Sequence, residues 1–411
     1  MAHNLLTDDV VTLESMDLFE NELVATQHTT RKFEAIFGTH GGSNRSDTIR
    51  VRKPNFFEVR EGWEADWQDL DEESVNLTID KPIGVDVKLT ESEMHMDLSS
   101  ASEEILKPVM SRLAHKVDSY VIDEIMKSPN YVGTPGTNPS ALSTYLSGQA
   151  ILSDYCCPND QGGILCAISP QMDVDAVDFL KGLFADTGSL SRQYKDGRMK
   201  RAGGLDWART QQTKTHTTGA VTGSGLVKGA SQSGASLTTD DWTASTAGIL
   251  KKNDIVSFTG CNAVNPVTKE STGRAKTFRV TADVDSDSSG DATVYIDPPI
   301  VLTGPKQNVT GSPTNDTAVQ LFGHASSYLT TTARQGLMWH KAAVALAFQK
   351  LENPDGQGAK GAAKTDSKLG ISMRYTRAWD IDLGVWKLRF DVFLGVALLR
   401  PEWTLRVQSG S

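Results

Sequence analysis

Two stretches near the N-terminus place apolar side chains at every second residue. In the first, Ile49, Val51, Phe57 and Val59 share one face while Arg50, Arg52, Glu58 and Arg60 share the other. The second alternates more strictly through Val75, Leu77, Ile79, Ile83, Val85, Val87 and Leu89. Two such runs joined by a polar connection predict a β-hairpin. The connection, EGWEADWQDLDEES from Glu61 to Ser74, carries seven carboxylates and is far longer than a tight turn. The spacing therefore predicts a long hairpin with an acidic, Trp-bearing tip that projects from the body.

Elsewhere the period changes from two to about four. Val109, Leu113, Val117, Val121 and Ile125 predict a long amphipathic helix over Leu106 to Lys127, with Pro108 in its first turn. Between Leu5 and Phe37, Val10, Val11, Leu13, Met16, Leu18, Phe19, Leu23 and Val24 give a second helical pattern, whose polar positions are mostly acidic. Further helices are predicted over Ser140 to Tyr155 and Gln171 to Phe184, with a buried strand at Gly163 to Ser169 between them. From about His216 to Ser245 the composition shifts to Gly, Ala, Ser and Thr, marking a loop or boundary. Short strand-like pieces then recur at Asp254 to Phe258, Thr277 to Thr281, Thr293 to Ile296 and Val319 to Phe322, as in a small β-barrel or sandwich. A helix over Trp339 to Leu351, the loop DGQGAKGAAKTDSK, and strands at Ile371 to Tyr375 and Trp386 to Leu398 complete an α+β chain.

Composition narrows the function. At 411 residues the chain is long enough for two or three compact units, and its hydrophobic fraction of 38% is low for a large enzyme. Such a chain spends residues on arms, loops and subunit contacts. A formal net charge of −10 argues against coating nucleic acid, which needs clustered cations to displace counterions. Cys156, Cys157, Cys166 and Cys261 show no zinc-type spacing, and adjacent Cys156 and Cys157 do not readily bridge each other. A reducing, cytoplasmic site of synthesis is the simplest expectation. No apolar run approaches the roughly 20 residues of a membrane span, and MAHNLLTDDVV lacks the basic and apolar regions of a signal peptide.

Candidate chemistry is sparse. GSGLVKG at Gly223 to Gly229 has the wrong spacing for a phosphate loop. No two of the eight histidines lie three to five residues apart, as clustered metal ligands usually would. The acidic DWQDLDEE run lacks the Gly and closing Glu of a calcium loop. No catalytic residue, cofactor or metal ligand is assigned, and the chain is read as a non-enzyme.

Several motifs together resemble one family. IRVRKPNFFEVREG resembles the start of the extended hairpin in major capsid (coat) proteins of tailed double-stranded-DNA bacteriophages, and LKPVMSRLAHKVDSYVIDEI resembles the start of their long spine helix. DGRMKRAGGLDWARTQ resembles the segment leaving their central domain. GISMRYTRAWDID and LRFDVFLGVALLRPEWTLRV resemble their C-terminal strands. The order is the family's order from about residue 45 to 407, and the branch most resembled is the P22-like coat proteins with an inserted β-barrel domain. The resemblance implies a Hong Kong 97-like capsid fold: an N-terminal arm (1–44), an extended loop (45–92), a peripheral domain with the spine helix (93–135) and an axial domain (136–222). An inserted β-barrel (223–335), an axial return (336–385) and C-terminal peripheral strands (386–411) complete it. The resemblance also implies self-assembly through pentamers and hexamers into an icosahedral head around packaged DNA, with a scaffolding protein, a portal and decoration proteins as further partners.

On that reading the charges set the register between subunits. Arg50, Arg52, Lys53 and Arg60 are basic, while Trp63, Glu64, Asp66, Trp67, Asp69 and Asp71 lie on the acidic tip, so a tip laid across a neighbour matches signs. The competing arrangement pairs the arginines inside the hairpin with Asp80 and Asp86. Asp8, Asp9, Glu14, Asp17 and Glu20 make the N-terminal arm a candidate dock for a basic scaffold segment. Alternatives are a nucleic-acid-binding module on the basic strand, or a glycan-binding β protein using the inserted region.

Overall fold

The computed structural model describes residues 8–33, 48–53, 57, 62–65, 67, 72–90, 102–158, 160, 163–180, 201–324, 327–352, 360–365 and 370–410. These form an α+β chain of two compact units.

The first unit combines residues 1–53, 74–124 and 344–399. Its sheet is organised by the 14-residue strand Val385–Leu398, whose length lets it pair with three others. Val344–Gln349, Ser372–Asp380 and Lys81–Leu89 all run antiparallel to it, and Lys360–Thr365 adds to Ser372–Asp380. The helix Lys107–Ile125 buries Met110, Leu113, Ala114, Val117, Val121 and Ile122 along one stripe. A single turn of π-helix, Ser102–Leu106, leads into it. The N-terminal helix Asp8–Glu22 buries Val11, Met16 and Phe19, and leaves Leu13 exposed.

The predicted hairpin is corrected in one respect. Thr48–Arg52 pairs antiparallel with Ser74–Thr78, but the run from Val75 to Leu89 is two strands rather than one. After Ile79 the chain leaves the hairpin, and Lys81–Leu89 joins the larger sheet in continuous register, from Leu89 opposite Trp386 to Lys81 opposite Leu394. Alternation persists through both halves, so the period does not reveal the change of partner. Gly395 makes the crossing possible, because a Cβ there would collide with the Thr78 carbonyl. Val51, Leu77 and Ile79 pack with Ala345, Ala347 and Ala397 beneath it.

The second unit combines residues 54–73, 125–343 and 400–411. One sheet runs in the order Tyr131–Val132, Thr404–Gln408, Thr332–His340, Ile164–Ile168 and Asp206–Arg209, and Thr215–Thr217 also pairs with Thr332–His340. The helices Leu142–Asp154 and Pro170–Leu180 supply Tyr145, Leu152, Met172 and Ala176 to a core shared with Met338, Leu405 and Val407. The helix expected over Trp339 to Leu351 is absent: Thr332–His340 and Val344–Gln349 are strands joined by a turn of 3₁₀ helix. Thr332–His340 lies between two neighbouring strands, and both it and Val344–Gln349 bury consecutive residues on both faces. The stretch Ala342 to Phe348 is consequently an unbroken apolar run that a helix would also give.

A second six-stranded antiparallel sheet runs Gln320–Leu321, Ile255–Val264, Ser271–Val280, Ala292–Ile300, Gly234–Trp242 and Gly223–Val227. A bridge from Leu226 to Ala318 brings its two edges together, so the sheet curls into a closed barrel around Leu237, Phe258, Phe278, Val294 and Ile296. The Gly, Ser and Thr stretch read as a loop or boundary thus contains Gly223–Val227 and Gly234–Trp242, with Thr215–Thr217 at its start, and the loop at 355–368 contains Lys360–Thr365. Small residues are needed there: Gly225, at φ +51°, lies where a Cβ would enter the Trp242 ring.

Candidate assembly surfaces

The sequence predicts contact residues on the strand Thr48–Arg52, the tip beyond it, and the N-terminal helix. On the strand, Val51 is buried and Arg50 and Arg52 are exposed, as the alternation requires. Opposite them in register lie Asn76 and Ser74, which carry no charge. The carboxylates proposed to serve these arginines inside the hairpin are engaged elsewhere: Asp86 lies 3.7 Å from Arg389, and Asp80 bonds Lys81 at 2.9 Å. The change of strand partner after Ile79 is the physical reason.

Trp63 and Trp67 are almost wholly exposed, and Phe57 and Glu64 are exposed as well. Lys53 is half-buried. Arg60, Asp66, Asp69 and Asp71 fall outside the described residues. Large indole rings exposed to water are unfavourable unless another surface covers them. At the base of this loop Glu73 bonds Lys306 of the barrel at 2.9 Å.

On the N-terminal helix Asp9 lies 3.4 Å from Lys364, Asp17 is exposed, and Glu14 and Glu20 are half-buried. The side chain of Asp8 is not described. A row of carboxylates opposite the buried stripe leaves an acidic face.

Just beyond this helix the chain is held by a group that the hydrophobic pattern does not single out. Asp118, buried on the helix Lys107–Ile125, accepts hydrogen bonds from the backbone N–H groups of Val24 (2.8 Å), Ala25 (3.2 Å) and Thr26 (2.9 Å), and from Thr26 Oγ1 (2.6 Å). Burial pushes its pKa up, and these four bonds pull against that shift. A signal is present in the sequence: Asp118 interrupts an apolar row with Ala114 and Ile122 at spacing four.

The junction between barrel and sheet has its own charged centre. Asp254, at the start of a barrel strand, accepts from His216 Nε2 (2.8 Å), Gly219 N (3.0 Å) and Lys251 N (2.8 Å). Arg406 on Thr404–Gln408 is fully buried, and its three guanidinium nitrogens have no hydrogen-bond acceptor among the described residues. Burial pulls its pKa down to about 9, opposed by the charge of Asp254. Beside it Gln335 and Gln408 exchange reciprocal amide bonds at 2.6 and 2.7 Å.

Among the described residues no group of His, Cys, Asp or Glu is arranged to hold a metal ion, and no helix is long and apolar enough to cross a membrane. The chemistry on view is that of surfaces and anchors.

No curated protein matches the chain. Among solved structures it is similar to one titled Mycobacterium phage Che8, with 11% identity, 94% of this chain and 90% of that one covered, and a TM-score of 0.45. It is also similar to the mature capsid of bacteriophage PhiM1, with 9% identity, 89% and 83% coverage, and a TM-score of 0.43. The isolated I-domain of the CUS-3 coat protein aligns over 24% of this chain and 94% of that one, with 21% identity and a TM-score of 0.19. The family model described as P22 coat protein, gene protein 5, matches residues 1–405, and the chain therefore belongs to the P22 coat protein family as a structural capsid protein of the virion.

Proposed function

We propose that the chain is the major capsid subunit of a tailed phage, assembling through pentamers and hexamers into an icosahedral head around double-stranded DNA. The observation that carries this reading is the family match over residues 1–405. In it the arm, extended loop, peripheral domain, axial domain and inserted barrel keep the division set out from the sequence. The free energy of contacts between copies is the function. Each specific interface is expected to bury on the order of 1,200–2,000 Å², and rings use heterologous contacts that close.

Arg50, Arg52, Lys53 and Arg60 then face carboxylates of a neighbouring copy, and Trp63 and Trp67 are its apolar anchors. The uncharged Asn76 opposite the exposed Arg50 supports this over pairing of that residue with Asp80 or Asp86. Replacing Arg52 by Glu should leave a folded monomer that fails to form shells; normal shells would remove the contact. The acidic face of Asp8–Glu22 is proposed to dock a basic segment of an internal scaffolding protein, and deletion of residues 1–25 should abolish scaffold-dependent assembly. A portal and decoration proteins complete the partners, and synthesis is placed in the host cytoplasm. The negative net charge suits a wall that does not hold DNA as it enters and leaves.

A further inference from the structure

A cleft of ≈ 370 Å³ opens between the C-terminal end of the helix Leu142–Asp154 and the barrel strands Ile255–Val264 and Ser271–Val280. Its volume lies near the bottom of the roughly 300–1,000 Å³ range of small-molecule sites, a size for one large side chain rather than an extended cofactor. Tyr131 and Tyr155 contribute aromatic surface, and Ile151, Ala263 and Ala275 contribute apolar surface. At its rim Arg274 is held 3.5 Å from Asp154, both partly exposed. Gln320 Oε1 accepts from Ser257 Oγ at 3.2 Å and keeps a lone pair for a second donor. Behind Tyr155 lies a buried cation, Lys276, with Nζ 3.1 Å from the phenol oxygen and 4.4 Å from the ring centroid.

This lining has the features that an indole selects: aromatic edges, a guanidinium able to lie over a ring, and an acceptor for N–H. The chain itself carries two almost fully exposed indoles, Trp63 and Trp67, on an acidic loop. The cleft rim offers one partly exposed cation, Arg274, which shares its charge with Asp154, while Lys276 lies buried behind Tyr155. The same loop already shows its affinity for barrel cations in the Glu73–Lys306 bond.

Resting on the reading of this chain as a shell subunit, we infer that the cleft receives the loop tip of a second copy, with Trp63 as the inserted ring and Glu64 facing Arg274. The partner is thus this chain itself, and the barrel is a receptor for its neighbour's extended loop. The contact is heterologous, tip to cleft, and can therefore propagate around a ring until it closes.

The test uses full-length protein carrying a photoreactive benzoylphenylalanine in place of Trp63, mixed with isotopically labelled wild type and assembled with scaffold. Mass spectrometry should find crosslinks from position 63 to the peptides around Ile151–Tyr155 or Thr272–Thr277 of a different copy. Crosslinks confined to other surfaces, or to the same copy, would overturn the inference. An independent arm fills the cleft with Ala275→Trp, at an exposed position. Its melting temperature should match wild type while shell yield falls at least tenfold, and wild-type yield would overturn the inference. If wild type forms no shells under the same conditions, the capsid reading fails instead, so the two failures are distinguishable.

Discussion

Asp118 and Arg406 are both buried charges, and the protein treats them in opposite ways. Asp118 is surrounded by four donors, three of them backbone N–H groups just after the N-terminal helix. Arg406 has no acceptor among the described residues, and the nearby Asp254 spends its oxygens on His216, Gly219 and Lys251. A buried charge that gathers local backbone donors fixes a segment in place. A buried charge left without partners stores a cost instead. The first is an anchor for the arm, and the second is a weak point at the seat of the barrel.

The comparison predicts opposite outcomes for its two deletions. Asp118→Ala leaves buried donors without an acceptor, so it should lose about 3–5 kcal/mol of unfolding free energy, measured by denaturant titration of the unassembled subunit. A loss below about 1 kcal/mol would place the carboxylate outside the stability of that unit. Arg406→Met exchanges an unpaired guanidinium for an apolar side chain of similar length. It should be neutral or stabilising by about 1–4 kcal/mol; a loss of that size would show that Arg406 has a counter-charge after all.

pH sharpens the contrast. With its folded pKa pulled down to about 9 from 12.5, Arg406 holds fewer protons folded than unfolded. Its cost is present below about pH 9 and is relieved as pH rises from there toward 12.5, adding a positive slope that Arg406→Met removes. Asp118 is raised above 3.8, so the folded state keeps its proton longer, and its contribution falls as pH rises from 3.8 through the raised value. Asp118→Asn should flatten stability in that acidic window. The smallest effect is a labelling pattern around these anchors. Cys156 is exposed, whereas Cys157 and Cys261 are buried with thiols pushed up to about 12, and Cys166 is raised further by full burial. One fast thiol per native chain is expected with a maleimide. Fast labelling of Cys166 would mean that its sheet opens.

Much of the fold is legible in the sequence because its strands alternate. Lys81–Leu89 alternates between more and less covered positions along its length, Val385–Leu398 does so as far as Phe390, and the stripe through Leu113, Val117 and Val121 declares the helix. The errors fall where the pattern stops discriminating. Thr332–His340 is buried on both faces and carries Arg334, Gln335 and His340 among its apolar residues, so no period survives, and Gly234–Trp242 is built from small and polar residues that also compose loops. Partner choice is not legible at all, since the same alternation serves Ser74–Thr78 and Lys81–Leu89 on different partners. Of the candidate site, Arg50, Arg52, Trp63 and Trp67 are found by face and by exposed aromatic character. Asp118 and Arg406 escape notice because their significance depends on which groups reach them in space.

The central claim is that this chain is a subunit whose work is closure into a shell. Electron microscopy of the purified full-length protein, alone and with its scaffolding protein, addresses it most directly. Uniform closed shells, or rings of five and six copies that convert to them, are the predicted result. Dispersed monomers across all concentrations and salts, with scaffold present, would contradict it.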